Sequence, residues 1–153
     1  KKRNMIPVKV VYFDDRFYLK CVNAETQQGR VYRIDRMKGI IGGEKVKTIP
    51  ALPKYDGVVL DMFEPKYFEY VTLKVKRFLL DDMLEQFGKY VSVREIPDEP
   101  ECVIIRAKIG ISDSFYRWVM KYGSNIEIIS PENIRLKFRE ELEKVLGIYR
   151  NNF

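Results

Sequence analysis

The sequence has no histidine, only two cysteines and one tryptophan among its 153 residues. The lack of histidine excludes Ser-His-Asp triads and every zinc site that needs an imidazole ligand. Cys21 and Cys102 have no CxxC partner, so we expect two reduced thiols that pack as small apolar groups. The longest apolar runs, such as residues 58–60, fall far short of the roughly 20 residues that a membrane-spanning helix needs.

Other signatures of enzymes are missing too. No GxxxxGK[ST] loop is present, and the glycines at 39, 42 and 43 lack the spacing of a dinucleotide-binding fingerprint. The adjacent pairs Asp14-Asp15 and Asp81-Asp82 point apart on a strand or a helix, and a turn and a helix N-terminus explain them better. We therefore predict a protein that is not an enzyme and has no cofactor or metal ion.

Positive charge is concentrated in the first third of the chain. Residues 1–50 contain 12 Lys and Arg against 5 Asp and Glu, whereas residues 51–153 contain 16 against 17. The whole excess of the net charge of +6 therefore lies before residue 51. Such a segment is either a solvated face or a patch that attracts a polyanion or a phosphorylated ligand.

The first third has the pattern of short strands. Residues 6–13 are β-branched and aromatic, residues 17–22 alternate, and residues 30–37 continue the pattern. The alternation places Tyr18 and Lys20 on one face and Phe17 and Leu19 on the other. Three strands joined by short turns predict an antiparallel meander that bends into a small barrel, with a further weak strand around Gly39. Prolines then mark residues 48–66 as a linker.

The remainder of the chain predicts the order βαββαβ followed by one more helix, the split arrangement of a ferredoxin-like domain in an α+β protein. The predicted strands and helices are residues 68–77, 79–87 (helix), 91–96, 102–109, 112–122 (helix), 125–129 and a helix after Pro131. Trp118 belongs to the apolar stripe of the second helix and should be buried, and Gly123 ends that helix. Pro131 is expected at the first helical position after Ser130 as N-cap. The strand at 102–109 has no aromatic residue, which disfavours an RNA-recognition domain.

Two stretches together resemble a known family. The first is FYL at residues 17–19 with RVYRIDRM at 30–37, and the second is WVMKYGSNIEIISPENIR at 118–135. They resemble the WYL domain and its C-terminal extension, the WCX domain, of a family of bacterial transcription regulators. Phe17 replaces the Trp of the family's triplet, a departure that keeps an aromatic plug, and Pro7 matches a proline of the family's second strand. The resemblance covers residues 6–149.

The resemblance implies three segments and a longer parent protein. Residues 1–47 would form a partial WYL domain with an incomplete Sm-like or SH3-like barrel, residues 48–66 a linker, and residues 67–153 a ferredoxin-like WCX domain. The family's first strand and its helix-turn-helix domain do not occur here, and the chain starts with Lys1, so we expect a piece of a longer protein. No secretory signal opens the chain, and a bacterial cytoplasm is the expected location.

The resemblance also implies a function: sensing of a nucleic acid fragment or nucleotide-like ligand, homodimer formation, control of a separate DNA-binding domain, and no contact with membranes. The residues expected to bind the ligand are Tyr18, Lys20, Arg30, Arg33 and Arg36. The residues expected to have structural roles are Phe17, Leu19, Asp35, Trp118, Gly123 and Pro131. Three alternatives stay open: Tyr18 as a rim residue, Lys20 as a solvated lysine, and an ion pair of Arg33 or Arg36 with Asp35. A pure interaction or dimerisation module without ligand binding is the rival hypothesis.

Overall fold

The computed structural model describes residues 2–60, 64–88 and 91–150, and its chain divides into two compact units, residues 1–54 and 55–153. The fold is mixed α and β, with one antiparallel sheet of three strands and another of four. The predicted linker is only partly described, because residues 61–63 lie outside the described ranges.

The first unit contains a three-stranded meander. Its strands are β1 (Met5–Phe13), β2 (Arg16–Asn23) and β3 (Gly29–Arg33), in the order β1-β2-β3. Asp14 and Asp15 form the first turn with positive φ angles of 49° and 57°, a conformation that Asp tolerates better than most residues. In the second turn, the Asn23 Oδ1 accepts hydrogen bonds from the backbone N–H groups of Glu25 and Thr26.

This sheet does not close into a barrel within the described residues. Its only buried residues with apolar side chains are Cys21 and Val22, so it has almost no core of its own. The outer edge of β1 has no strand partner among the described residues. Pro7 occupies this edge strand next to a bulge, where a missing N–H costs no ladder hydrogen bond.

The third strand is shorter than predicted. It ends at Arg33, and a single 3-10 turn follows at Ile34–Arg36. The weak strand predicted around Gly39 is wrong, because residues 37–54 contain no strand. Gly39 has a φ of +63°, which interrupts extended backbone.

The second unit has the predicted order of elements. It contains β4 (Tyr67–Lys76), α1 (Leu80–Phe87), β5 (Val91–Glu95), β6 (Cys102–Ile111), α2 (Asp113–Lys121), β7 (Ile126–Ser130) and α3 (Glu132–Arg150). The strands are ordered β5-β6-β4-β7, and every pairing is antiparallel. None of the helices in the described ranges is both long enough and apolar enough to cross a membrane.

The core of this unit lies between one face of the sheet and the helices. Alternate residues of β4 and β6 are buried, among them Val71, Leu73 and Ile105. Trp118 is 9% exposed, as its apolar stripe predicts. Its ring lies 5.5 Å from that of Phe87, and its Nε1 donates a 3.0 Å hydrogen bond to a side-chain oxygen of α1.

Part of the predicted linker packs on this unit. The Val58 N–H donates to the Lys108 carbonyl at 2.8 Å, and the Gly110 N–H donates to the Val58 carbonyl at 2.8 Å. A Cβ on Gly57 would lie 2.8 Å from that same Lys108 carbonyl oxygen, so the close approach requires glycine. Residues 55–60 thus belong to the second compact unit, and the exact domain boundary stays a prediction.

The end of α2 agrees with the prediction from the sequence, whereas the start of α3 differs from it. Gly123 follows α2 with a φ of +57°, the conformation that favours glycine after a helix. Pro131 was predicted at the first helical position, but α3 begins one residue later, at Glu132. Ser130, the predicted N-cap, is instead the last residue of β7. The Pro131 carbonyl accepts hydrogen bonds from the first turn of α3. Further along α3, Leu142 and Val145 are 42% and 38% exposed, so the apolar stripe runs beyond the core.

Candidate functional site

The strand register brings three of the predicted ligand residues to one face of the first sheet. Tyr18 lies directly opposite Arg33 in the pairing of β2 with β3. Lys20, two residues after Tyr18, lies opposite Lys9 of β1. Residues directly opposite in an antiparallel pair share a face, and so do residues two apart on one strand. We call this surface the basic face; its residues are Lys9, Arg16, Tyr18, Lys20 and Arg33, and Arg36 continues it beyond the end of β3.

Two lysines meet directly on the basic face. Lys9 and Lys20 are cross-strand partners, and neither forms an ion pair with a described residue. Like charges placed directly opposite each other destabilise a sheet. A bound anion between the two ammonium groups would relieve that repulsion.

Arginines gather at the other end of the basic face. The Nε and Nη2 of Arg33 donate to the two carboxylate oxygens of Asp35 at 2.8 and 2.6 Å, a bidentate pair. This hydrogen bonding, together with the charges of Arg33, Arg36 and Arg16, holds the pKa of Asp35 below its usual range. Three guanidinium groups therefore act on one carboxylate, and the open question about the partner of Asp35 is resolved in favour of Arg33.

The Arg33–Asp35 pair should make the stability of the fold depend on pH in the acidic range. The folded pKa of Asp35 is lowered, so the pair stabilises the fold above the unfolded pKa of about 3.9, and this contribution is lost as the pH falls through the folded pKa. We expect Asp35→Asn to lower the melting temperature at about pH 7 and to have a smaller effect at about pH 2. Thermal melts at both pH values check this, with the exposed Asp98→Asn as control. A melting-temperature difference that is equally large at both pH values would contradict it.

Arg30 does not join the other predicted ligand residues. It lies opposite Cys21, on the face of the sheet away from Tyr18. Its guanidinium donates to the Gln28 side chain at 2.5 Å and to the Gly29 carbonyl at 2.9 Å. It lines a separate polar cavity of about 330 Å³ whose other walls include Lys2, Arg3, Asn23, Glu25 and Tyr32.

The aromatic residue of the triplet is not buried as a plug. Phe17 is 57% exposed, and its ring lies 5.0 Å from that of Tyr12. Leu19 shares this face and is half-buried. Phe17 stays exposed because the described residues of the first unit provide no second layer over this side of the sheet.

Lys9 and Arg16 are residues of the basic face that the sequence did not single out. Arg16 precedes Tyr18 by two positions, so the alternation of β2 could have identified it. Lys9 could not have been found this way, because a bulge between Pro7 and Lys9 changes the face on which it lies.

One group of potential metal ligands occurs in the described residues. Glu99, Glu101 and Cys102 have ligand atoms within 4.8 Å of one another. The ammonium of Lys74 already forms an ion pair with Glu99, and nothing else there indicates an ion.

Comparisons with known proteins agree with the order of the two units. Residues 1–41 match the model of the WYL domain, and residues 69–146 match the model of the WCX domain. No curated protein matches the sequence. Among solved structures, "Proteasome accessory factor B/C (PafBC) of Arthrobacter aurescens" is similar with a TM-score of 0.47 and 18% sequence identity. The similarity covers 97% of this chain but only 23% of that chain. A TM-score this low does not support an inference about fold or function.

Proposed function

Because the chain belongs to the WCX-domain family and has a WYL-domain match ahead of it, we propose that it is the ligand-sensing part of a transcription regulator. Its ligand is a single-stranded nucleic acid fragment or a nucleotide-like molecule, and it binds to the basic face. In this proposal the protein is not an enzyme, and a separate DNA-binding domain of a longer protein responds to the ligand.

The observation that carries the proposal is the position of Tyr18 between two sets of cations. Lys20 lies two residues after Tyr18 on β2, with Lys9 opposite it on β1. Arg33 lies directly opposite Tyr18 on β3. The basic face together with Arg36 has five cationic side chains, but only two carboxylates, Asp14 and Asp35, form ion pairs with them. The surplus favours a ligand with more than one negative charge.

The side-chain types suit a nucleotide. Guanidinium forks bind phosphate bidentately, and ammonium groups bind it as point charges. An aromatic ring beside them gives a base a surface on which to stack. Tyr18 lies at the centre of the face and is half-buried.

Substitution of Tyr18 tests the proposal. If a base stacks on its ring, Tyr18→Ala should weaken the binding of short single-stranded DNA or RNA by about 1–3 kcal/mol in an anisotropy titration at low salt. Tyr12→Ala is the matched control, because it removes an exposed tyrosine from the opposite face of the same sheet. Equal losses in the two variants, or no loss in either, would exclude Tyr18 as the stacking residue.

We also propose a fold for each of the two units and the bounds of the two domains. The meander β1-β2-β3 is part of an Sm-like barrel whose remaining strand belongs to the longer protein. The second unit is a ferredoxin-like domain, which is supported by its strand order β5-β6-β4-β7 with helices after its first and third strands. The proposed domains are residues 1–47 and 67–153, joined by 48–66.

A dimerisation module without ligand binding is the second candidate. The exposed apolar residues of α3, including Leu142, Val145 and Leu146, favour it because such stripes mark protein contacts. Sedimentation of the chain, combined with the titration above, separates the two candidates. A dimer that binds no nucleic acid and no nucleotide would establish the second.

A further inference from the structure

One face of the four-stranded sheet in the second unit carries no helix. The core residues of β4 and β6, such as Val71, Leu73 and Ile105, point to the side that α1 and α2 cover. The residues between them point the other way. Tyr70 is 51% exposed on this side, and Arg106 and Arg94 are also exposed. We call this side the open face of the second sheet.

An aromatic ring and a guanidinium form a stack on the open face. The Cζ of Arg106 lies 4.4 Å from the centroid of the Tyr70 ring. Arg106 is also paired in register with Ser92 on one side and with Thr72 on the other, so its backbone is fixed between two strands. Both a tyrosine ring and the plane of an arginine accept a nucleic acid base by stacking.

The cations on the open face differ in whether they are neutralised. Lys74 forms an ion pair with Glu99, and Lys108 forms one with Asp56 at 2.6 Å. In contrast, three cations have no carboxylate partner among the described residues; they are Lys76, Arg94 and Arg106. The uncompensated charge of this face is therefore positive, although residues 51–153 together carry one more acidic than basic side chain.

The spacing of these groups fits one base and its neighbouring phosphates. Arg94 lies on the strand next to Arg106, one row further along the sheet. Strands are separated by about 5 Å and alternate rows by about 7 Å, so the two guanidinium groups start within reach of adjacent phosphates. Lys76 lies six residues beyond Tyr70 on the same strand, roughly 20 Å along the sheet, so it can contact only a phosphate further along the nucleic acid.

We propose that the open face is a second binding site, for one base and the flanking phosphates of a single-stranded nucleic acid. Tyr70 and Arg106 form the platform for the base, and Arg94 and Lys76 contact the backbone. The site is separate from the basic face of the first sheet. Phe68 lies on the same face two residues before Tyr70, but it is half-buried and its ring packs 5.3 Å from that of Tyr55. Tyr70 is therefore the exposed aromatic that stacks one base, and β6 has no aromatic residue.

The test uses the full chain with Arg33→Ala and Arg36→Ala as background, so that binding to the basic face is weakened. In this background we expect Tyr70→Ala to weaken binding of a labelled single strand by about tenfold, and Tyr70→Phe, which keeps the ring, by less than about twofold. Arg94→Ala should reduce the log–log salt slope by about 0.7, as expected for one lost phosphate contact. Arg117→Ala is the matched control, since it removes an exposed arginine from α2.

Cross-linking identifies the site directly. Irradiation of a strand that contains 5-bromouracil should attach it to the peptide with Tyr70, as mapped by mass spectrometry. Three results would overturn the proposal: cross-links confined to residues 1–54, no effect of Tyr70→Ala in a variant with parental melting temperature, or equal competition by an oligoglutamate peptide. Loss of binding to the basic face alone would leave these readouts unchanged, so the two sites are tested independently.

Discussion

Replacing Trp118 by alanine should lower the free energy of unfolding by about 3–5 kcal/mol, the range for a large buried aromatic residue. The side chain is 9% exposed and contacts three other aromatic rings, those of Phe87, Phe115 and Tyr122. Removing it would open a cavity between α1 and α2 that rigid neighbours fill only in part. Guanidinium titrations followed by far-UV circular dichroism measure this loss, since the variant has no tryptophan to report by fluorescence.

Trp118→Phe is the matched control. It keeps a ring in the core but loses the 3.0 Å hydrogen bond to Gln86, an exposed side chain that water can satisfy. We expect a smaller loss, of about 1–2 kcal/mol. A loss below about 1 kcal/mol for Trp118→Ala would show that this face of α2 does not form the core.

Reversing the charge of Arg36 should have the largest effect of any single change on ligand binding. Arg36 forms no ion pair with a described residue, so its guanidinium is available to a ligand, whereas Arg33 already holds Asp35. A hydrogen bond to a charged group contributes about 1.5–3 kcal/mol, and Arg36→Glu also adds repulsion. We therefore expect binding of single-stranded nucleic acid at low salt to fall by about 10- to 100-fold.

Lys45→Glu is the control for Arg36→Glu. Lys45 is exposed in the same unit, outside the strands, and its replacement changes the net charge by the same amount. If both variants lost affinity equally, the ligand would respond to net charge alone and not to the basic face. Arg33→Lys should behave differently from both, lowering the melting temperature more than the affinity, because it breaks the bidentate pair with Asp35.

The second unit could be predicted well from the sequence because its signals are regular. Buried residues recur at every second position in β4 and β6, and the apolar residues of α2 recur at helical spacing around Trp118. Gly123 marks the end of α2 because its positive φ favours glycine. These local patterns do not depend on any contact far along the chain.

The arrangement of the candidate site could not be predicted in the same way. Alternation on one strand does not fix which residues of the next strand lie opposite, and that register decides that Arg30 points away from Tyr18. No proline or glycine marks the end of β3 at Arg33, so the 3-10 turn that brings Asp35 to Arg33 leaves no trace in the sequence. The bulge after Pro7 moves Lys9 to the face of Lys20 for a similar reason.

A salt-dependent titration tests the central claim, that the basic face binds a phosphate-bearing ligand. Labelled single-stranded DNA is titrated with the parent chain, with Arg33→Ala/Arg36→Ala, and with Lys45→Ala/Lys47→Ala, which removes two exposed lysines from the same unit. The parent and the lysine control should bind at low salt, with a log–log slope of about −1.4 to −2.1 for two or three phosphate contacts. The arginine variant should bind more weakly with a shallower slope. The claim is contradicted if a folded Arg33→Ala/Arg36→Ala protein binds as tightly as the parent, or if the parent binds no single strand and no nucleotide at low salt.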